Sequence, residues 1–178
     1  MRLFHFSDDP HLELLKPRVP SRHPDREPFV YAVDEAHQAL YFFPPDCPRL
    51  AVWADSSSRA EDVEWLQERT DQRILLAIDS SWADRVARGS ICRYLVSPES
   101  FFQENNHGCF VSRLPIKVAT PTIFDNLPQA MREADAMLAV VGSLSAFAHS
   151  IESSTLHVTM IRMGLLDDWV ETPGFVHC

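Results

Sequence analysis

A few residues of this chain are of types that do chemistry, and their spacing suggests which chemistry. His5 and Ser7 stand two apart in "LFHFS". On a strand alternate residues share a face, so Leu3, His5 and Ser7 point one way while Phe4 and Phe6 point the other. An imidazole there can bond a ribose hydroxyl or a diphosphate oxygen, and near neutral pH it can move a proton. The plainer alternative is a sheet histidine satisfied by the main chain. Tyr31, in "FVYAV", offers a flat platform for a base or nicotinamide ring, or else a core contact. Glu104 and His107 lie in "QENNHG", just before "CFVSRL". A carboxylate at the mouth of a strand can serve as a general base or can stabilise a developing cation.

Two basic features complete the set. Lys16, Arg18, Arg22 and Arg26 cluster in a proline-rich stretch, which reads either as a contact for phosphate groups or as a solvated loop. Arg49 closes "FPPDCPR", a proline-stiffened turn able to clamp a phosphate or carboxylate bidentately. Asp34, His37 and Cys47 can be combined with His5 as metal ligands, but their spacing matches no ligand pattern, and no metal is expected. Cys47 would act as a nucleophile only with a lowered pKa and a base beside it, and the sequence places no such base.

The elements that must position these groups follow from pattern. The prolines at 10, 17, 20, 24 and 28 leave residues 11–28 as an extended surface loop. "FVYAV", "RLAVWA", "RILLAI", "ICRYLV", "CFVSRL", "AMLAVV" and "STLHVTMIRM" read as strands. In the last of these Leu156, Val158 and Met160 share the core face and His157 opposes them. Asp34 is placed to cap a helix over "EAHQALYFF", and Ser58 and Glu61 to form a capping box over "SRAEDVEWLQER". Short helices are expected at "SSWADRVARG", "SPESFF" and "DNLPQAMREAD". Strands adjacent in sequence and irregularly interspersed helices indicate an α+β chain. The expectation is a single domain over residues 1–178, with mixed, mostly antiparallel sheets and short flanking helices.

The 178 residues suffice for a core without staples, and a net charge of -9 argues against non-specific nucleic-acid binding and against an anionic membrane surface. Four scattered cysteines suit reduced thiols in the cytoplasm. None of the five glycines falls in a G-x-G-x-x-G or G-x-x-x-x-G-K-[ST] loop, and neither G-x-S-x-G nor H-E-x-x-H occurs. Kinase, P-loop, Rossmann, α/β-hydrolase and zincin chemistries are therefore disfavoured.

The order of "HFS", "FVYAV" leading into "DEAHQALYFF", "YLVSPESFF" and "FVSRLPI" resembles the small bacterial members of the ADP-ribosyltransferase-like superfamily. The resemblance implies that fold, NAD as ligand, His5 holding the ribose, Tyr31 beside the nicotinamide and Glu104 stabilising the ribosyl cation. Across nearly the whole length, "LFHFS", "DE-x-H", "FP-x-DCPR" and "TLHV" are similar to a group of bacterial proteins of uncharacterised function, which implies no activity. The leading expectation is a nucleotide- or NAD-binding protein with His5, Ser7, Tyr31, Arg18 and Arg49 as ligand contacts and Glu104 and His5 as catalytic groups. That expectation includes an inactive member of the superfamily; a non-enzymatic ligand- or protein-binding module and a metal-dependent enzyme are the alternatives.

Overall fold

Apolar alternation, rather than helical periodicity, dominates the order of elements. The computed structural model describes residues 1–19, 25–104, 108–169 and 176–177. The chain opens with strands β1 (Leu3–Ser7), β2 (Leu14–Leu15), β3 (Val30–Asp34) and β4 (Arg49–Trp53). Helix α1 (Ala60–Gln67), β5 (Ile74–Asp79), α2 (Ala83–Ala87) and β6 (Ile91–Val96) follow. Next come β7 (Phe102–Gln103), β8 (Cys109–Ser112), β9 (Ile116–Lys117) and β10 (Thr122–Phe124). The chain closes with α3 (Leu127–Glu133), β11 (Ala136–Val141), α4 (Leu144–Ser150), β12 (His157–Ile161) and β13 (Val176–His177). The mixed α+β class expected from the pattern is what forms.

These elements sort into two compact units, each drawn from two stretches of chain. The first comprises Met1–Phe42 and Ser90–Asp125. Its six-stranded sheet runs β10-β6-β1-β3-β8-β7 and is antiparallel throughout. All five residues of β1 pair with β6, from Leu3↔Val96 to Ser7↔Cys92. Against β3, in contrast, β1 pairs only at Leu3↔Asp34 and Phe4↔Val33. One face of this sheet carries Leu3, Val30, Ala32, Val96 and Phe110, which form a core with Leu15 and Ile116 from the two-stranded β2-β9 ribbon. The other face carries aromatics: Phe6 meets Phe42 edge-on at 5.1 Å and Phe42 meets Phe124 at 4.8 Å.

The proline-rich loop is anchored from below. The fully buried Tyr94 donates its hydroxyl to the Asp9 carbonyl at 2.6 Å and accepts from Leu12 N–H at 3.2 Å. Arg18 and Phe29 exchange main-chain bonds at 3.0 and 3.2 Å. The loop thus holds a short strand that proline density concealed, while Pro20, Arg22 and Pro24 lie outside the described residues.

The second unit comprises Phe43–Gly89 and Asn126–Cys178. Its sheet runs β11-β5-β4-β12-β13, with β4 antiparallel to both neighbours and the outer pairs parallel. Leu50, Val52, Leu75, Ala77, Leu156 and Met160 pack with Leu66 of α1 and Leu144 and Ala148 of α4.

Three local expectations are corrected. The helix expected after Asp34 is a single 3-10 turn, Gln38–Tyr41, because Asp34 ends β3 and Pro44 stops the chain soon after. The capping box does not form: Ser58 accepts from Asp55 N–H at 3.1 Å instead, and α1 starts after Arg59. The stretch after β11, where no helix is among those expected, makes α4, capped by Ser143 accepting from Ala146 N–H at 3.0 Å. No helix among the described residues is long and apolar enough to cross a membrane.

Candidate functional site

The early end of the β1–β3 ladder is what exposes His5 to chemistry. Where the strands stop pairing, His5 Nδ1 lies 2.8 Å from the Tyr31 carbonyl. A carbonyl can only accept, so Nδ1 carries the proton and the lone pair resides on Nε2. Burial depresses the imidazole pKa below its ordinary 6.5; the Tyr31 carbonyl opposes that shift and the nearby Arg18 guanidinium adds to it. The ring is therefore neutral at pH 7, with an acceptor nitrogen beside a cation. Among the described residues neither His5 Nε2 nor the Arg18 guanidinium has a hydrogen-bond or carboxylate partner.

Tyr31 and Glu104 form a second cluster. Glu104 follows β7, and its N–H donates to the Cys109 carbonyl at 2.9 Å, so the β7–β8 hairpin holds it. Its carboxylate lies 3.5 Å from an Arg26 nitrogen and accepts from Cys109 Sγ at 3.5 Å. The Tyr31 hydroxyl oxygen is sealed from water and makes no hydrogen bond of normal geometry. Burial and the Glu104 charge raise its pKa, while the Arg26 guanidinium lies near enough to pull it back. Phe29 meets the Tyr31 ring at 6.3 Å and the Phe102 ring at 5.9 Å, both edge-on. Arg113 lies over Phe29 and Phe102 and binds Glu27 at 2.8 Å.

Within the first unit the structure does not bring His5 and Tyr31 to one hollow. Leu3↔Asp34 and Phe4↔Val33 put His5 on the face of Ala32 and Val30, and Tyr31 on the face of Phe4 and Phe6. Imidazole and phenol are thus on opposite sides of the sheet, linked through the Tyr31 main chain. Ser7 shares the face of His5 as expected, but its oxygen accepts from Asp9 N–H at 3.1 Å and closes a local turn. Arg49 belongs to the second unit, where it is buried, donates to the Cys47 carbonyl at 3.0 Å and sits 5.0 Å from the Phe43 ring centroid. It braces the proline turn from inside. His107 lies outside the described residues.

The metal-ligand combination dissolves in the same way. His37 Nδ1 is 2.7 Å from Asp34 Oδ1, which also accepts from His37 N–H at 2.9 Å. Burial pushes the Asp34 carboxyl up, but the His37 bonds outweigh it and hold the pKa below the usual range. Cys47 is fully buried, and that burial, opposed by Arg49 and Arg85, lifts its thiol to about 12. Such a thiol is inert at neutral pH. Among the described residues no group of three His, Cys, Asp or Glu side chains is arranged to hold a metal.

Sequence reasoning missed the contact between Asp34–His37 and Gly108. The signal was present as an Asp-x-x-His spacing at a strand end and a lone glycine in "NNHG", but nothing local connects the two.

No curated protein matches the chain, and no solved structure matches it. None of the comparisons returns a member of the ADP-ribosyltransferase-like superfamily. The profile of a family of unknown function, DUF6886, matches residues 4–165, and the chain belongs to that family.

Proposed function

We propose that the first unit binds a small anionic ligand of nucleotide type, NAD being the specific candidate, through His5 and Arg18. The observation that carries this reading is the neutral imidazole, its proton fixed on Nδ1, beside an arginine with no carboxylate partner among the described residues. In a chain of net charge -9 an exposed arginine with no counter-ion among the described residues is a local site for a phosphate or carboxylate. Binding an anion there draws a proton onto Nε2, so both groups then donate. The setting we assign is cytoplasmic, which suits the three buried free thiols Cys47, Cys92 and Cys109.

Calorimetric titration of NAD and of ADP into the protein tests this. The wild type is expected to bind, and His5→Ala and Arg18→Ala each to weaken binding about tenfold or more, the loss of one charge-assisted hydrogen bond. A wild type that takes up neither nucleotide overturns the proposal.

A second reading, ADP-ribosyl transfer or NAD hydrolysis, is favoured by the field of Glu104 at Tyr31. Against it stand the ion pair of Glu104 with Arg26 and the location of both on the face opposite His5. Nicotinamide released from NAD by the wild type and not by Glu104→Gln supports this reading. Binding without release leaves the binding module.

A further inference from the structure

Gly108 has φ +72°, the left-handed region that favours glycine. A Cβ built on it would lie 2.2 Å from His37 Nδ1, 2.6 Å from His37 Cγ and 2.8 Å from Asp34 Oδ1. No side chain fits there while the Asp34–His37 pair stands. The main chain is fastened at the same point: Asp34 N–H donates to the Gly108 carbonyl at 3.0 Å, and one residue on, the Cys109 carbonyl takes the Glu104 N–H at 2.9 Å. The carboxylate–imidazole pair at the end of β3 therefore forms a seat, the glycine backbone rests on it, and the hairpin end that carries Glu104 is set by where that backbone rests.

We infer that Gly108 and the Asp34–His37 pair are positioning residues for Glu104, a role whose functional weight rests on the second reading above, in which Glu104 acts on NAD. Two features support positioning over simple turn formation. The tightest approach is to a side chain four residues past the partner strand's last ladder pair, not to the hairpin's own backbone. Asp34 Oδ1 is also held by two bonds from His37, so the seat is itself braced.

Amide hydrogen exchange read residue by residue tests the inference without any ligand. In Gly108→Ala the Glu104 and Asp34 amides are expected to exchange about tenfold faster or more, while amides of the β1–β6 ladder keep their protection. Adding His37→Ala to Gly108→Ala removes the two closest atoms that the new methyl strikes, leaving Asp34 Oδ1, and is expected to recover part of that protection. Should Gly108→Ala not fold, His37→Ala alone serves: it keeps the glycine, is expected to fold, and is expected to speed exchange at Glu104. Unchanged exchange at Glu104 in both single variants overturns the inference. Nicotinamide release from NAD by the wild type, followed alongside, judges the functional reading separately: absent release sinks that reading and leaves the exchange result to decide the seat.

Discussion

His5 and Tyr31 show how one main-chain carbonyl sets the state of a site. The His5 pKa is held below 6.5 by burial, so between that lowered value and 6.5 the unfolded chain binds a proton that the folded chain does not. Stability contributed by this residue is complete above pH 6.5 and is lost as the pH falls through the lowered pKa. The melting temperature is accordingly expected to fall between pH 7 and pH 5, and His5→Asn to flatten that fall; an equally steep dependence in the variant contradicts the assignment. Tyr31 behaves differently. Its hydroxyl is buried without a normal hydrogen bond, and a buried polar group left unpaired costs about 1–3 kcal/mol. Tyr31→Phe is expected to leave stability unchanged or raise it by about 1 kcal/mol in urea unfolding. A loss of that size would show that the phenol is bonded after all. His5 stood out in the sequence as a polar residue on an apolar strand. What was not legible was its partner, because the Tyr31 main chain carries no mark in the sequence.

Element by element, the strands were readable and the caps were not. Apolar alternation predicted β1, β3, β6, β8 and β12 close to where they stand, since packing on a sheet face enforces a period of two. Caps depend on which of several neighbouring acceptors wins. Ser58 was drawn into the Asp55 turn, and Asp55 itself binds Ser57 and His157. Those bonds hold the Asp55 carboxyl down at about 2, against an ordinary 3.8. Its contribution is therefore present above pH 3.8 and is lost as the pH falls toward 2. Asp55→Asn is expected to make unfolding less steep with acid across that window, as followed by circular dichroism. The proline-rich loop teaches the converse. Prolines excluded a long strand, yet Leu15 is buried with Leu3 and Val30. Truncating it, Leu15→Ala, is expected to cost about 2–5 kcal/mol in urea unfolding, as for a core leucine; a cost below about 0.5 kcal/mol would mean the loop merely lies on the surface.

At the scale of the whole molecule, the α+β class was legible and the partition was not. Consecutive strands β3 and β4, and again β5 and β6, belong to different sheets, and composition does not shift where the chain passes from one unit to the other. Each unit needs both of its stretches: a fragment of residues 1–89 lacks β6, β8 and β10 of the first sheet and β11 and β12 of the second. That fragment is expected to show no dispersed amide spectrum; a folded one would contradict the interleaving. The same interleaving puts Arg49, expected as an anion clamp because it closes a proline-stiffened turn, in the second unit, where it is buried.

The central claim is that His5 presents a bare Nε2 beside Arg18 for an anion. Long-range nitrogen–proton correlation of the histidine side chains at pH 7, before and after adding ADP, reads it directly. A neutral His5 ring protonated on Nδ1, whose Nε2 resonance moves toward the protonated value as ADP is added, is the predicted result. An Nε2-protonated ring, or a spectrum indifferent to ADP, would contradict it.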